Sequence, residues 1–591
     1  MKFLKIFLVL IFSIAFCSII SSQTKIPSKW ITRFEKSGYL ETETYDQTVA
    51  YFKKLADSSP YAKILSFGIS PQGRKLYCLI VSKDRAFDPV SAKRTGKPII
   101  LIDNGIHSGE IEGKDASMLL LREILITKEK ANLIDNAILL VIPIFSVDAH
   151  ERFSPYNRIN QNGPTNMGWR TTAQNLNLNR DWTKADAPEM QSMLKLFSSW
   201  LPDFFVDTHT TDGADYQYTI TYSMEHYQNV DTVLREWIVK KLMPYLNKSV
   251  NDDGYLIAPY LEFKGRKIEN GIIGASFSPR FSHSYAAAQN RPGLLIETHM
   301  LKPYKDRVFS TKSLLTAILT YANKNGKELI ALNKAADKNS IEEYSIEKKY
   351  FSLSLGLTDK SIPFHFMGIK AEHDSSWVSG TIWTKYTGEK YETELPYYDQ
   401  MKVTDSVQAP KEYLIPLEWG KWENLIGRIK LHGIKVGQLK SSETLKVTEY
   451  KFKNIKYAKY SFEGRQRVSA DYDTISEKVT VPKGTYVIKT NQRTIRLILN
   501  LMEPKAEDSF LQWGFFNSIF ERKEYYESYV MEKIARQMMD KDPDLKKKFE
   551  EKLAVDENFR KSPRQRLDFF YTRSPYMDKK LNVYPILRVE N

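Results

Sequence analysis

The stretch from Gly105 to Asp115 reads GIHSGEIEGKD and sets His107 and Glu110 three residues apart. Imidazole nitrogen and carboxylate oxygen are both zinc donors, and two donors this close can share an ion without a long loop between them. Alone, a His-x-x-Glu pair is equally an ordinary polar turn. A catalytic zinc site takes three protein ligands and leaves a fourth position open. Six of the nine histidines (His107, His150, His209, His226, His283 and His299) fall between 107 and 299. His209 follows the apolar run in DFFVDTHTTDG, much as His107 and Glu110 follow KPIILIDN. Sites in open α/β sheets assemble beyond the carboxyl ends of strands, where both segments would place their donors. A core histidine bonded to a backbone carbonyl is the alternative for His209 taken by itself.

Two further segments carry groups suited to peptide chemistry. GWRTTAQNLNLNRDW holds Arg170, Asn179 and Arg180. A guanidinium fork matches a carboxylate with two parallel hydrogen bonds, although arginines also pair on surfaces. In RPGLLIETHM, Glu297 follows an apolar run and should emerge partly desolvated at a strand end. A carboxylate so placed is a natural general base; helix capping or ion pairing are the alternatives.

Taken together, His107-x-x-Glu110, Arg170, Asn179-Arg180, His209 and Glu297 resemble, in order, the site of the zinc carboxypeptidases of the carboxypeptidase A type. The upstream ISPQGRKLYCLIVS is similar to that family's approach to the site, and SVDAHE stands where many members have an Asn-Pro-Asp-Gly turn. The resemblance spans about residues 45–325 and looks most like that of secreted multidomain bacterial members. It implies one Zn²⁺ per chain on His107, Glu110 and His209. It implies Arg180 with Asn179 on the terminal carboxylate, Arg170 at the oxyanion, and Glu297 as general base on the activated water. Three departures stand out. Gly109 occupies a position where digestive members carry arginine, which weakens an accessory substrate contact. Asn177 replaces an aspartate that supports a zinc histidine, and losses of that kind lower metal affinity. The substrate-contacting tyrosine has no clear match, Tyr285 being the nearest candidate and Arg280 a further one, with loop packing and surface pairing as alternatives.

The elements that must position these groups are legible around them. ILSFGIS, LYCLIVS, KPIILIDN, AILLVIPIFSVD, DFFVDTHTT and GLLIETH are short, near-continuous apolar runs, as strands buried on both faces should be. Helical patterns such as YDQTVAYFKKLADS, GKDASMLLLREILI and EMQSMLKLFSSWL lie between them. This predicts an α/β domain, a mixed β-sheet flanked by helices, over 23–335. Period-2 alternation from about Lys348 predicts a β-rich accessory domain over 345–503, and a mainly helical region follows over 504–591, closing on a last strand or extended arm at NVYPILRV. The charged run over 337–349 is either the boundary or a solvated helix face. His365, His373 and His432 are isolated and read as structural. Trp377, Trp383, Trp419, Trp422 and Trp513 read as core packing, with a binding face as the alternative.

Length and composition set the outer limits. A chain of 591 residues with 42% hydrophobic content supports two or three domains. Two lysines, an apolar run and small polar residues make 1–22 a signal peptide, so the protein is expected to be exported, to the periplasm, cell surface or medium. Phe16 disfavours a lipid anchor at Cys17. Only Cys17 and Cys78 exist, so the processed chain has no internal disulfide. Cleavage removes Lys2 and Lys5 and no acid, lowering the formal charge from +15 to +13. Basic residues are interleaved with acids and no nucleic-acid module is visible, so no nucleic-acid partner is expected. No later segment is long and apolar enough to span a bilayer.

The expectation is therefore an exported zinc metallopeptidase cutting peptides or proteins at a free C-terminal carboxylate. The alternatives are an amidase or endopeptidase of the same fold acting on cell-wall or acyl-amino-acid substrates, or a non-catalytic peptide-binding surface protein. Retention of Glu297 beside all three donors argues against the last.

Overall fold

The computed structural model describes residues 26–590 apart from Arg266. The expected signal segment, 1–22, lies outside the described residues. Among the described residues, no helix is long and apolar enough to cross a membrane.

The first half is built on an eight-stranded mixed sheet. Its strands run in the order Ala62–Ile69, Lys75–Val81, Ile138–Ile142, Ile99–Asn104, Phe204–Thr211, Gly293–His299, Ile220–Ser223 and Ile257–Pro259. All six apolar runs singled out above form strands of this sheet. Ile220–Ser223 and Ile257–Pro259 add two short strands at one edge that carry no comparable run. The central strands are mutually parallel from Ile138 through Ile99 and Phe204 to Gly293. Ile99–Asn104 and Phe204–Thr211 are buried at every position, which is why they show no polar alternation. The helix Tyr45–Asp57 starts on a capping box between Thr44 and Gln47. Glu112–Leu125 is buried along its whole length and packs on the long helix Tyr304–Ser340.

That long helix continues as a wide turn over Ile341–Ile346, so the charged run at 337–349 is mainly a helix end, and residue 335 falls inside the helix. Beyond it the chain is β-rich, as its alternation predicts. Tyr350–Leu357 pairs with Met401–Gln408, and Ile362–Ser375 forms a long hairpin with Ile382–Tyr398. A six-stranded sheet gathers the rest, and the last strand, Leu587–Val589, inserts between Glu412–Ile415 and Glu443–Tyr457. Helices cover 528–571. FLQWGFFNSIF, which reads as helical, is instead a run of turns ending in a short 3-10 helix. Its aromatic residues turn inward because Phe510, Trp513, Phe515 and Phe516 are all buried.

One apolar cluster joins both halves. It runs from Ile80, Leu101 and Phe205 of the first sheet through Trp182 and Phe197 to Tyr413, Phe452, Ile498, Trp513 and Tyr584. The free thiol of Cys78 lies buried in it. Trp513 and, partly, Trp419 take the expected core positions. Trp377, Trp383 and Trp422 do not: they are exposed, the first two at the hairpin tip, where no second layer covers the sheet. His432 is buried between Tyr285 and Thr183, and His365 lies between Glu392 and Glu394 on the surface, both structural as expected.

Candidate metal centre and substrate cavity

Three neighbouring parallel strands deliver the site. The Ile99–Asn104 strand ends at Gly105, whose φ of +70° turns the chain at little steric cost and starts the loop carrying His107 and Glu110. His209 sits on the adjacent strand, and Glu297, one strand further, is its register partner. His107, Glu110 and His209 are buried, and one ligating atom from each lies within 4.8 Å of the others.

The hydrogen bonds around the two imidazoles orient them. His107 Nε2–H donates to Asn177 Oδ1 at 2.9 Å, and His209 Nε2–H donates to Asp207 Oδ2 at 2.7 Å. With the outer nitrogens so engaged, the inner Nδ1 atoms converge on a single oxygen, Glu110 Oε2, at 3.1 and 3.0 Å. Two inner imidazole nitrogens, once deprotonated, and a carboxylate oxygen facing one another form a donor set that a divalent cation satisfies, and two imidazoles with one carboxylate suit zinc. Asn177, whose Oδ1 also accepts from Asn179 N, thus keeps the orienting contact that its aspartate counterpart would make. The carboxylate lies behind the other histidine, at Asp207. Spacing already held that signal, since residues i and i+2 of a strand share a face.

The electrostatics follow from these partners. Burial pushes the pKa of His107, which has only an amide behind it, down to about 4. Burial also disfavours charge on His209, but Asp207 and Glu110 on its two nitrogens outweigh this and hold it well above the ordinary value. Burial would raise Glu110, yet His107 and Arg158 keep its carboxyl well below the usual range. Glu297 faces the cavity from an otherwise buried strand; desolvation, with Glu110 and Asp207 adding to it, pushes its pKa up to about 8.

The cavity beside these groups has a volume of about 500 Å³, and seven of the candidate residues read from the sequence line it: His107, Glu110, Arg170, Asn179, Arg180, His209 and Glu297. Arg170 is open to solvent and donates to Glu110 Oε1 at 2.9 Å. Arg180 stacks over Phe281, 4.1 Å from the ring centre. Burial and the nearby Arg170 and Arg280 push its pKa down to about 10, still charged at neutral pH. Asn179 spends its oxygen on Ser282 N–H, 2.8 Å away, and its NH₂ group lies 3.4 Å from His209 Nε2.

Two weaker candidates fall outside the cavity. Tyr285 is buried against Trp182 and bonded to His432 and Gln289. Arg280 is tied to Asp508 and Glu507. The cavity phenol is Tyr260, which neither periodicity nor a motif marks. Arg158 was likewise missed; its Nη2 lies 2.9 Å from Glu110 Oε1. A larger cleft, about 1110 Å³, opens in the β-rich half between Lys411, Lys435 and Lys489, away from the ligand cluster.

Residues 48–229 match the family model of the zinc carboxypeptidases. Carboxypeptidase 2 of Trichophyton rubrum is 23% identical over 491 residues, covering 80% of this chain and 84% of its own. Among solved structures, a metallo-carboxypeptidase from Burkholderia cenocepacia is 15% identical, covering 48% of this chain and 70% of its own, with a TM-score of 0.36. Carboxypeptidase A from Helicoverpa armigera is 16% identical, covering 50% and 74%, with a TM-score of 0.35.

Proposed function

We infer that this chain, whose residues 48–229 belong to the zinc carboxypeptidase family, is an exported zinc metallocarboxypeptidase that removes residues from the C-termini of peptides or proteins. The observation that carries this reading is the sharing of one cavity by the three-donor cluster, Glu297 and Arg180. His107, Glu110 and His209 would hold one Zn²⁺. When bound, zinc supplies a Lewis acid for the scissile carbonyl and lowers the pKa of water towards about 7.

The chain's own groups do the rest. Arg180, helped by the Asn179 NH₂ group, forks onto the terminal carboxylate and so selects chain ends over internal bonds. Its buried position beside other cations makes an anion there favourable. Glu297, in its ionised form, takes a proton from the attacking water and returns it to the nitrogen of the leaving amino acid. Arg170 is available to the oxyanion of the tetrahedral intermediate, a contact worth a few kcal/mol (roughly 3) at such sites. Asn177 and Asp207 keep both imidazoles in the tautomer that points Nδ1 inward.

Digestion of a peptide library read by mass spectrometry, run in parallel on free-acid and C-terminally amidated peptides, tests this directly. Stepwise loss of C-terminal residues from the free acids only is the expected result. Equal cleavage of the amides, or cuts at internal bonds, would replace it with the amidase or endopeptidase reading.

A further inference from the structure

We propose that Arg158 grips the substrate on the amino side of the scissile bond, through space that Gly109 leaves open. The proposal rests on the carboxypeptidase reading and adds a residue to it. A Cβ at position 109 would lie 2.7 and 2.8 Å from Cγ and Cδ of Arg158 and 2.9 Å from Gly168 O. Only glycine therefore lets the Arg158 side chain pass over this part of the motif and bring its guanidinium to Glu110. Digestive members place an arginine at 109 itself; here the cation arrives from a loop 49 residues further along the chain.

That loop is built to hold it. Gln161, nearly buried, accepts from Arg158 Nε at 3.3 Å and donates to Gly109 O at 2.7 Å and Gly163 O at 3.0 Å. Arg158 nonetheless keeps part of its side chain open to the cavity, and its neighbours Asn157, Ile159 and Asn160 line the same rim. Ile159 is 97% exposed, an apolar side chain at the mouth with no covering partner among the described residues.

The two arginines have different neighbours. Arg180 is held over Phe281, whereas Arg158 is held by Gln161 and reaches Glu110. Arg170 stands between, since it shares a Glu110 oxygen with Arg158. A peptide anchored by its terminal carboxylate at Arg180, with its scissile carbonyl at the ligand cluster, leaves the cavity past Arg158 and Ile159. Arg158 then donates to a backbone carbonyl upstream of the scissile bond, and Ile159 covers an adjoining apolar side chain. The substrate class follows: peptides of three or more residues, in preference to N-acylated single amino acids, which end before reaching that loop.

Arg158→Ala, Arg158→Lys and Gly109→Ala, each loaded with zinc, can be compared on a tetrapeptide and on an N-acyl amino acid sharing its C-terminal residue. Arg158→Ala should raise KM for the tetrapeptide about tenfold or more, a typical loss for a charge-assisted hydrogen bond. It should lower kcat far less, and affect the N-acyl substrate much less than the tetrapeptide. Arg158→Lys should recover part of the loss, and Gly109→Ala, by displacing Arg158, should reproduce it. Equal losses on both substrates, or loss of zinc as the whole effect, would overturn the assignment and make Arg158 a mere support for Glu110. Wild-type protein that cleaves neither substrate would overturn the carboxypeptidase reading and this inference with it.

Discussion

The strands under the cavity and those of the β-rich half differ in what covers them. Ile99–Asn104 and Phe204–Thr211 have no exposed residue, and their polar groups at the carboxyl ends, Asp207 and His209 among them, face one another out of water. In Glu443–Tyr457 and Val468–Val481 most side chains remain in solvent, and the ladder between them is largely two-sided. Charges removed from water interact strongly and must be paired, whereas charges on an open ladder are screened. This is why perturbed groups and metal donors gather in the first region. The exposed ion pairs of the second, such as Lys453 with Asp473, contribute little.

The sharpest test of the contrast is Glu297→Gln. It keeps the size of the side chain and removes the proposed base, so turnover should fall by a factor of about 10² to 10⁴. Metal analysis should still find zinc. A variant with normal turnover would remove Glu297 from the mechanism and with it the functional weight placed on this strand end.

The two halves are nevertheless not independent bodies. Trp513, from the C-terminal region, is fully buried, donates from Nε1 to Thr183 Oγ1 at 3.2 Å, and lies in the cluster that both halves share. Trp513→Ala should cost about 3–5 kcal/mol by loss of burial and the cavity left behind. Calorimetry should show the whole protein shifting in one transition. Two transitions, only one of them shifted, would mean that the seam does not couple the halves.

A polar contact on the same seam gives a smaller effect with a definite pH signature. Asp186 of the first half pairs with Arg465 and Arg428 of the second at 2.6 and 2.7 Å. Burial alone would raise its pKa, but Arg465, Lys184 and Arg428 outweigh it and bring the carboxyl down to about 2. A depression of nearly two pH units is worth about 2 kcal/mol. Because the folded value is the lower one, this stability is present above the unfolded value, near 4, and is lost as the pH falls through about 2. Urea midpoints measured at pH 5 and pH 3 should fall less steeply with acid in Asp186→Asn than in the parent; equal slopes would deny the pair its role.

How far the sequence alone reaches follows the same division. Strands buried on both faces announce themselves as continuous apolar runs, so the central sheet and the segments carrying His107, Glu110, His209 and Glu297 were readable. Arg170 and Arg180 were readable because their order along the chain matches a known site. Arg158 was not, since its place depends on a clearance at Gly109 that arises only when two distant loops meet. Asp207 could have been found from its spacing to His209, whereas Tyr260 lies in a loop without period. Trp377 and Trp383 misled because tryptophan is usually covered, and nothing in the alternation of a hairpin says whether a second layer exists.

That hairpin tip makes the smallest prediction and the cleanest control. Trp377 is 94% exposed and Trp383 53%. A residue that buries almost no area on folding gains almost nothing from being apolar, so Trp377→Ser should change stability by less than about 0.5 kcal/mol. The cavity is not lined by any residue of the hairpin, so kcat and KM should also stay at parent values. The same replacement at Trp513, a tryptophan with no exposed surface, should be severely destabilising. If Trp377→Ser unfolds the protein as readily, the tip is covered in solution and the contrast between buried and open sheets fails at its most exposed point. If it leaves fold and rate intact, the bulk of an uncovered tryptophan serves neither, and the two regions differ in burial as the strands imply.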